Sequence, residues 1–84
     1  MERSELKEKL LGIVEEAMPQ LEAKDIQTDL PLEEEYDVDS VSLIKIIVDA
    51  ETMFGVKFDD KELALNKYEN FDDMIDTIAQ KMQA

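Results

Sequence analysis

The residues that could do chemistry in this chain are few in kind. There is no cysteine and no histidine, which removes thiolate metal sites, the commonest general base and the commonest transition-metal ligand. What remains is 22 acids against 9 bases, the lysines among the latter, and a few serines besides. No spacing pairs a nucleophile with a base, so no enzyme activity of its own is expected. Asp37 and Asp39 have the alternate spacing that opens a calcium loop. Val41, however, takes the next ligand position, no glycine follows at the sixth, and an apolar run begins at once. The pair that stands out is Asp39-Ser40, placed directly before the most apolar stretch of the chain. It has two readings. Ser40 caps a helix, its oxygen accepting an orphan backbone N–H, or it is displayed at a helix start for covalent modification.

The apolar stretch is what must position this pair. Val41, Leu43, Ile44, Ile46, Ile47, Val48 and Ala50 continue through Glu51-Thr52-Met53 with no interruption before Gly55. That length favours a helix, about Ser40 to Phe54, over a buried strand. Gly55 ends it well because glycine tolerates positive φ. Leu43, Ile44, Ile47 and Val48 follow helical spacing with Glu51 at the boundary. Val41 and Ile46 widen the apolar face, which predicts a central helix touched by several neighbours.

Three further helices are expected. Leu6, Leu10, Ile13, Val14 and Ala17 give one buried face from Ser4 to Ala17, closed by Pro19. Gly12 inside it costs ~1 kcal/mol relative to alanine unless a neighbour packs close against it. Residues 18–39 form a long connection with Leu21, Ile26, Leu30, Leu32 and Tyr36 as separate anchors. A helical turn fits near Glu22 to Ile26, chain turns fall at Thr28-Asp29 and Leu30-Pro31, and Glu33-Glu34-Glu35 reads as a solvated acidic run. Val56 and Phe58 anchor an extended link, and Asp59-Asp60 opens a short helix of about Asp60 to Asn66, burying Leu63 and Leu65 with Tyr68 nearby. Asn70 caps the last helix, paired with Asp73, and Phe71, Ile75, Ile78 and Met82 line its inner face. The expected fold is all-α: one domain over residues 1–84, a small four-helix bundle of three long helices and one short, with a long first loop.

Asp39-Ser40-Val41 entering an apolar helix after an acidic loop, in a chain of 84 residues, resembles the acyl carrier protein family. The resemblance runs from Leu6 to about Ile78. It implies that Ser40 carries a 4'-phosphopantetheine arm, covalently attached from coenzyme A, with Asp39 as its motif neighbour. It also implies a phosphopantetheinyl transferase as partner, using coenzyme A and magnesium, and then loading, condensing or transferase enzymes that meet the second helix with basic patches. Asp37 just before that helix, and Val41, Lys45, Asp49 and Glu51 on it, would be the partner-facing residues. Thioester-bound groups would be shielded among side chains such as Leu43, Ile47 and Ile75, for each of which plain core packing is an equal reading. The pattern departs from the family at several points. Asp37 stands where glycine is common, Val41 where leucine is, and Lys45 where fatty-acid carriers present an acid, while Ser42 and Thr52 are neutral. Between Asp25 and Asp39 there are seven acids and no base. General fatty-acid synthesis, a polyketide pathway and another specialised acyl pathway all remain open.

Composition sets the outer limits. With a net charge of −13, nucleic acid and anionic membrane surfaces are repelled and a basic protein surface is the natural partner. No apolar run approaches the ~20 residues of a membrane span, and Met1-Glu2-Arg3-Ser4-Glu5 lacks the apolar core of a signal peptide. A free-standing, cytoplasmic monomer is expected. The alternative to a carrier is an acidic helical interaction module with no prosthetic group, Ser40 being only a helix cap.

Overall fold

The helix that follows Ser40 is the centre of the molecule. In the computed structural model, which describes residues 1–83, four α-helices run in the order α1 (Arg3–Ala17), α2 (Leu32–Tyr36), α3 (Ser40–Phe54) and α4 (Phe71–Gln83). Three 3-10 turns (Ala23–Asp25, Asp60–Leu63 and Leu65–Lys67) lie between them, and there is no strand among the described residues. The all-α class with three long helices is the one expected, but the short helix is α2 in the first connection and not the segment 60–66. Leu6, Leu10 and Val14 of α1, Leu43, Ile46, Ile47 and Ala50 of α3, and Phe71, Met74, Ile75 and Ile78 of α4 form one apolar core. Each helix supplies a single stripe to it, as the 3.6-residue repeat requires.

Gly12 sits within α1, and a Cβ built on it meets nothing within 4 Å. The close helix contact that would explain a glycine there is therefore not present. Gly12→Ala should stabilise the domain by about 0.5–1 kcal/mol, since alanine has the better helix propensity and a less disordered unfolded chain. Chemical denaturation of the two proteins checks this.

α3 differs from its expected packing in one respect. Ile44 and Val48 were expected on the buried face and Val41 on its margin, yet all three are exposed, while Leu43, Ile46, Ile47, Ala50 and Phe54 are buried. α3 packs against α1 and against the Asp60–Leu63 turn, and two neighbours on one side cover only about half a helix. The apolar surplus is left in solvent.

The first connection holds a helix that was not expected. Glu33-Glu34-Glu35 is not merely a solvated run but the first turn of α2. Pro31 precedes that turn, and the acids lie at its positive N-terminal end, where they are favoured. The helix closes on Asp37, whose φ of 52° lies in the left-handed region, and the Val38 N–H reaches back to the Leu32 carbonyl at 3.2 Å. This is a Schellman-type ending. An aspartate in that conformation carries a steric cost that a glycine would lack. The rest of the connection is tied down by backbone bonds, Leu32 N–H to Glu69 O and Asp72 N–H to Thr28 O, both 3.0 Å. The helical turn expected near Glu22 to Ile26 is the Ala23–Asp25 turn, whose Ala23 N–H is held by Glu15 at 2.7 Å.

The short helix expected at Asp60–Asn66 is instead two 3-10 turns separated by Ala64 in an extended conformation. In a continuous helix Leu63 and Leu65 would point to nearly opposite sides. The break lets both pack against the core, half-buried. Asp59 and Glu62 close the first turn as a reciprocal capping box. At α4, Asn70 caps the Asp73 N–H at 2.9 Å as expected, while the Asp73 carboxylate takes the Glu69 N–H at 2.8 Å.

Candidate functional site

Ser40 is the first residue of α3 and is exposed. The cap of that helix is not Ser40 but Asp39, whose Oδ1 accepts the Ser42 N–H at 2.7 Å. Accepting the Ser42 N–H and the Ser42 hydroxyl holds the Asp39 carboxyl below its ordinary value, so it stays anionic at neutral pH. The reading of Ser40 as a simple cap is corrected at this point, because the orphan donor it would satisfy is already taken. Among the described residues no hydrogen bond engages the Ser40 hydroxyl. An exposed hydroxyl that the fold does not use is thus presented on the first turn of a helix, where free N–H groups and the dipole favour an anion. The residues fit a phosphodiester there: the oxygen is free, the approach is open, and the helix start offsets part of the added charge.

The surroundings of Ser40 are set by two short-range features. The left-handed Asp37 turns the chain out of α2 and into α3 within three residues. Glu33, Glu34, Glu35 and Asp37 are all exposed at this end of the molecule. Between α2 and the Leu65–Lys67 turn lies an open groove of about 420 Å³, lined in part by Leu32, Glu33, Leu65, Asn66 and Tyr68. Leu43, Ile47 and Ile75, considered as shields for a thioester-bound group, are fully buried in the core.

The candidate partner-facing residues do not form one patch. Val41 and Lys45 are exposed on the same side of α3. Asp49 is half-buried and lies to one side of them. Glu51 is half-buried, and its carboxylate accepts the Phe58 N–H at 2.8 Å. It fixes the turn after α3, about 16 Å along the helix axis from Ser40. Sequence reasoning missed Ile44 and Val48 as surface residues. Only their angle from Leu43, Ile47 and Ala50 could have given them away. Among the described residues no three acidic side chains converge in a way that could hold a metal ion.

A family model described as "Phosphopantetheine attachment site" matches residues 8–78. Acyl carrier proteins from three bacteria are also similar to the chain. That of Myxococcus xanthus is 37% identical over 43 residues, 51% of this chain and 54% of that protein. That of Micrococcus luteus is 37% identical over 43 residues, 51% of this chain and 53% of that protein. The Rhodococcus erythropolis protein is 33% identical over 54 residues, 64% and 59% of the two. The chain therefore spans a little over half the length of the curated relatives it matches.

Proposed function

The chain belongs to the acyl carrier protein family, through its phosphopantetheine-attachment domain, and we propose that it takes up a 4'-phosphopantetheine arm on Ser40 and carries acyl groups between enzymes. The single observation that carries this reading is the division of labour at the start of α3: Asp39 does the capping and leaves the exposed Ser40 hydroxyl unused. In the modification the Ser40 oxygen forms a bond to phosphorus and the pyrophosphate bond of coenzyme A breaks. The adenosine bisphosphate half leaves, and the serine proton passes to a base of the transferase. The arm supplies the thiol on which an acyl group rides, a group that this chain has in no side chain of its own.

On this reading the protein is a carrier and not a catalyst, and it acts in the cytoplasm. Its own residues display, orient and dock. Asp39 holds the first turn rigid so that Ser40 keeps one position. The acids of α2 and Asp37 favour partners with basic surfaces. Those partners are a phosphopantetheinyl transferase and loading, condensing or transferase enzymes of fatty-acid, polyketide or another specialised acyl biosynthesis.

Intact mass after incubation with coenzyme A, magnesium and a broad-specificity phosphopantetheinyl transferase tests the assignment. The parent should gain the mass of one phosphopantetheine, and Ser40→Ala should gain nothing. Because Ser40 makes no side-chain hydrogen bond, its alanine variant should unfold within about 0.5 kcal/mol of the parent. A folded parent that several transferases leave unmodified would sink the carrier reading.

A further inference from the structure

The open groove beside α2 has two walls, and a backbone hydrogen bond ties them together. One wall is α2 and the other is the Leu65–Lys67 turn with the residues after it; between them the Leu32 N–H donates to the Glu69 carbonyl at 3.0 Å. The Tyr68 hydroxyl donates to the Glu62 carbonyl at 2.7 Å and fixes the second wall from behind. The groove is therefore formed before anything enters it. Its floor is apolar, with Leu32 and Tyr68 buried and Leu65 half-buried. Its rim holds no base, while the Glu33 and Glu69 side chains are exposed there. Asn66 is exposed on the same rim, and among the described residues its amide takes part in no hydrogen bond. The volume of about 420 Å³ falls within the roughly 300–1,000 Å³ of small-molecule sites. Such a groove disfavours an anion and suits a thin, uncharged chain of methylenes and amides.

That groove lies close to Ser40. The Val38 N–H donates to the Leu32 carbonyl at 3.2 Å. Ser40 follows two residues later, so the Leu32 carbonyl is within roughly 12 Å of the Ser40 Cα even for a fully extended chain. A phosphopantetheine arm has about 14 bonds between the serine oxygen and its thiol, and reaches roughly 17 Å at the ~3.6 Å per three bonds of an extended chain. Resting on the assignment of Ser40 as the attachment residue, we propose that the groove between α2 and the Leu65–Lys67 turn is the resting site of the arm itself. The phosphate belongs at the start of α3, and only the uncharged remainder enters the groove. Its carbon segments suit the floor of Leu32, Leu65 and Tyr68. Its two amides suit Asn66, which both donates and accepts, and the Glu33 and Glu69 carboxylates, which accept N–H. The core is the poorer place, because Leu43, Ile47 and Ile75 have no exposed surface and a guest there must first displace packed side chains. The groove is open on one side, so the arm leaves it for an enzyme without any movement of the core.

The test compares the unmodified protein with the protein loaded by a broad-specificity phosphopantetheinyl transferase, loading being confirmed by intact mass. In amide proton–nitrogen NMR spectra, Leu32, Leu65, Asn66 and Tyr68 should shift on loading, while Leu43, Ile47 and Ile75 should not. Asn66→Trp, a change on an exposed turn, fills the groove, and circular dichroism with denaturation shows that the fold is kept. In the loaded variant the thiol should react with an uncharged aromatic disulfide about threefold faster than in the loaded parent. That ratio is the one expected of an arm docked about two-thirds of the time. Shifts confined to residues 39–42 leave the arm in solvent and overturn the proposal. Shifts at Leu43, Ile47 and Ile75 put it in the core and do the same. Equal thiol rates in parent and variant overturn the groove as well, while Ser40 stands as the attachment site. A folded parent that never gains the mass fails at Ser40 instead, and removes the assignment on which the groove rests.

Discussion

Phe71→Ala should cost the domain about 3–5 kcal/mol, the usual result of emptying a fully buried aromatic site. Phe71 has no exposed surface and opens α4. Its ring lies 5.9 Å from that of Tyr36, tilted by 37°, and Tyr36 is itself held by the Gln27 N–H at 2.7 Å from its hydroxyl oxygen. The backbone bonds from Leu32 to Glu69 and from Asp72 to Thr28 close around the same place. This one ring therefore joins α4 to the loop and short helix that deliver the chain to Ser40. A domain of this size has roughly 5–15 kcal/mol in total, so the loss is a large share. Urea denaturation should show a lower midpoint with an unchanged slope. Phe71→Leu should keep most of the stability by refilling the space. A cost under about 1 kcal/mol for Phe71→Ala would mean that the loop collapses into the cavity and is far more plastic than its bonding implies.

Much of this arrangement is legible in the sequence, and the parts that are not share a cause. Long amphipathic helices announce themselves by period, as Leu6, Leu10 and Val14 do in α1 and Phe71, Ile75 and Ile78 in α4. Period also indicates α3 but cannot say which of its many apolar residues face the core. With seven of the ten residues from Val41 to Ala50 aliphatic, only the number of neighbours decides, and that is a tertiary fact. The five residues of α2 are too few to show a period, and three consecutive glutamates look the same in a helix as in a loop. What marks the helix is Pro31 before it and the left-handed Asp37 after it, and the latter is visible only in the backbone. The break at Ala64 follows from two leucines that must both reach the core, a demand that helix propensity does not express. At the site itself, Asp39-Ser40 was legible as a helix start but not as two separate jobs. Which of two adjacent oxygens accepts the Ser42 N–H depends on φ and ψ at Asp39, here −106° and 178°. Glu51 looked like a free surface acid because nothing in the sequence shows the chain folding back to bring the Phe58 N–H to it.

Removing the Glu62 carboxylate should cost about 2–3 kcal/mol, because that group serves two partners at once. Its Oε1 accepts Lys81 Nζ at 2.8 Å and the Asp59 N–H at 2.8 Å, with the two charged side chains only 18% and 21% exposed. Lys81 in turn lies 5.2 Å from the centre of the Phe58 ring. The Glu62 backbone carbonyl accepts the Tyr68 hydroxyl at 2.7 Å, so one residue joins the 3-10 segment both to α4 and to itself. Glu62→Ala would leave Lys81 unpaired against an apolar surface and the Asp59 N–H without an acceptor. The hydrogen bond from Lys81, and after it that from Asp59, hold the Glu62 carboxyl below the ordinary glutamate value. A depressed folded-state pKa means that the unfolded chain takes up the proton first as acid is added. The stabilisation is thus fully present above the unfolded value of about 4.5 and is lost as the pH falls through the lower folded one. Tyr68 sets the opposite limit, since burial pushes its hydroxyl up to about 12. Its contribution is intact below pH 10 and is lost as the pH rises toward that value. Denaturation of the parent and of Glu62→Gln between pH 7 and pH 3 provides the check. The gap between the two should be widest near neutrality and shrink once the unfolded glutamate is protonated. A gap that stays constant to pH 3 would show that shape rather than charge holds the 3-10 segment to α4.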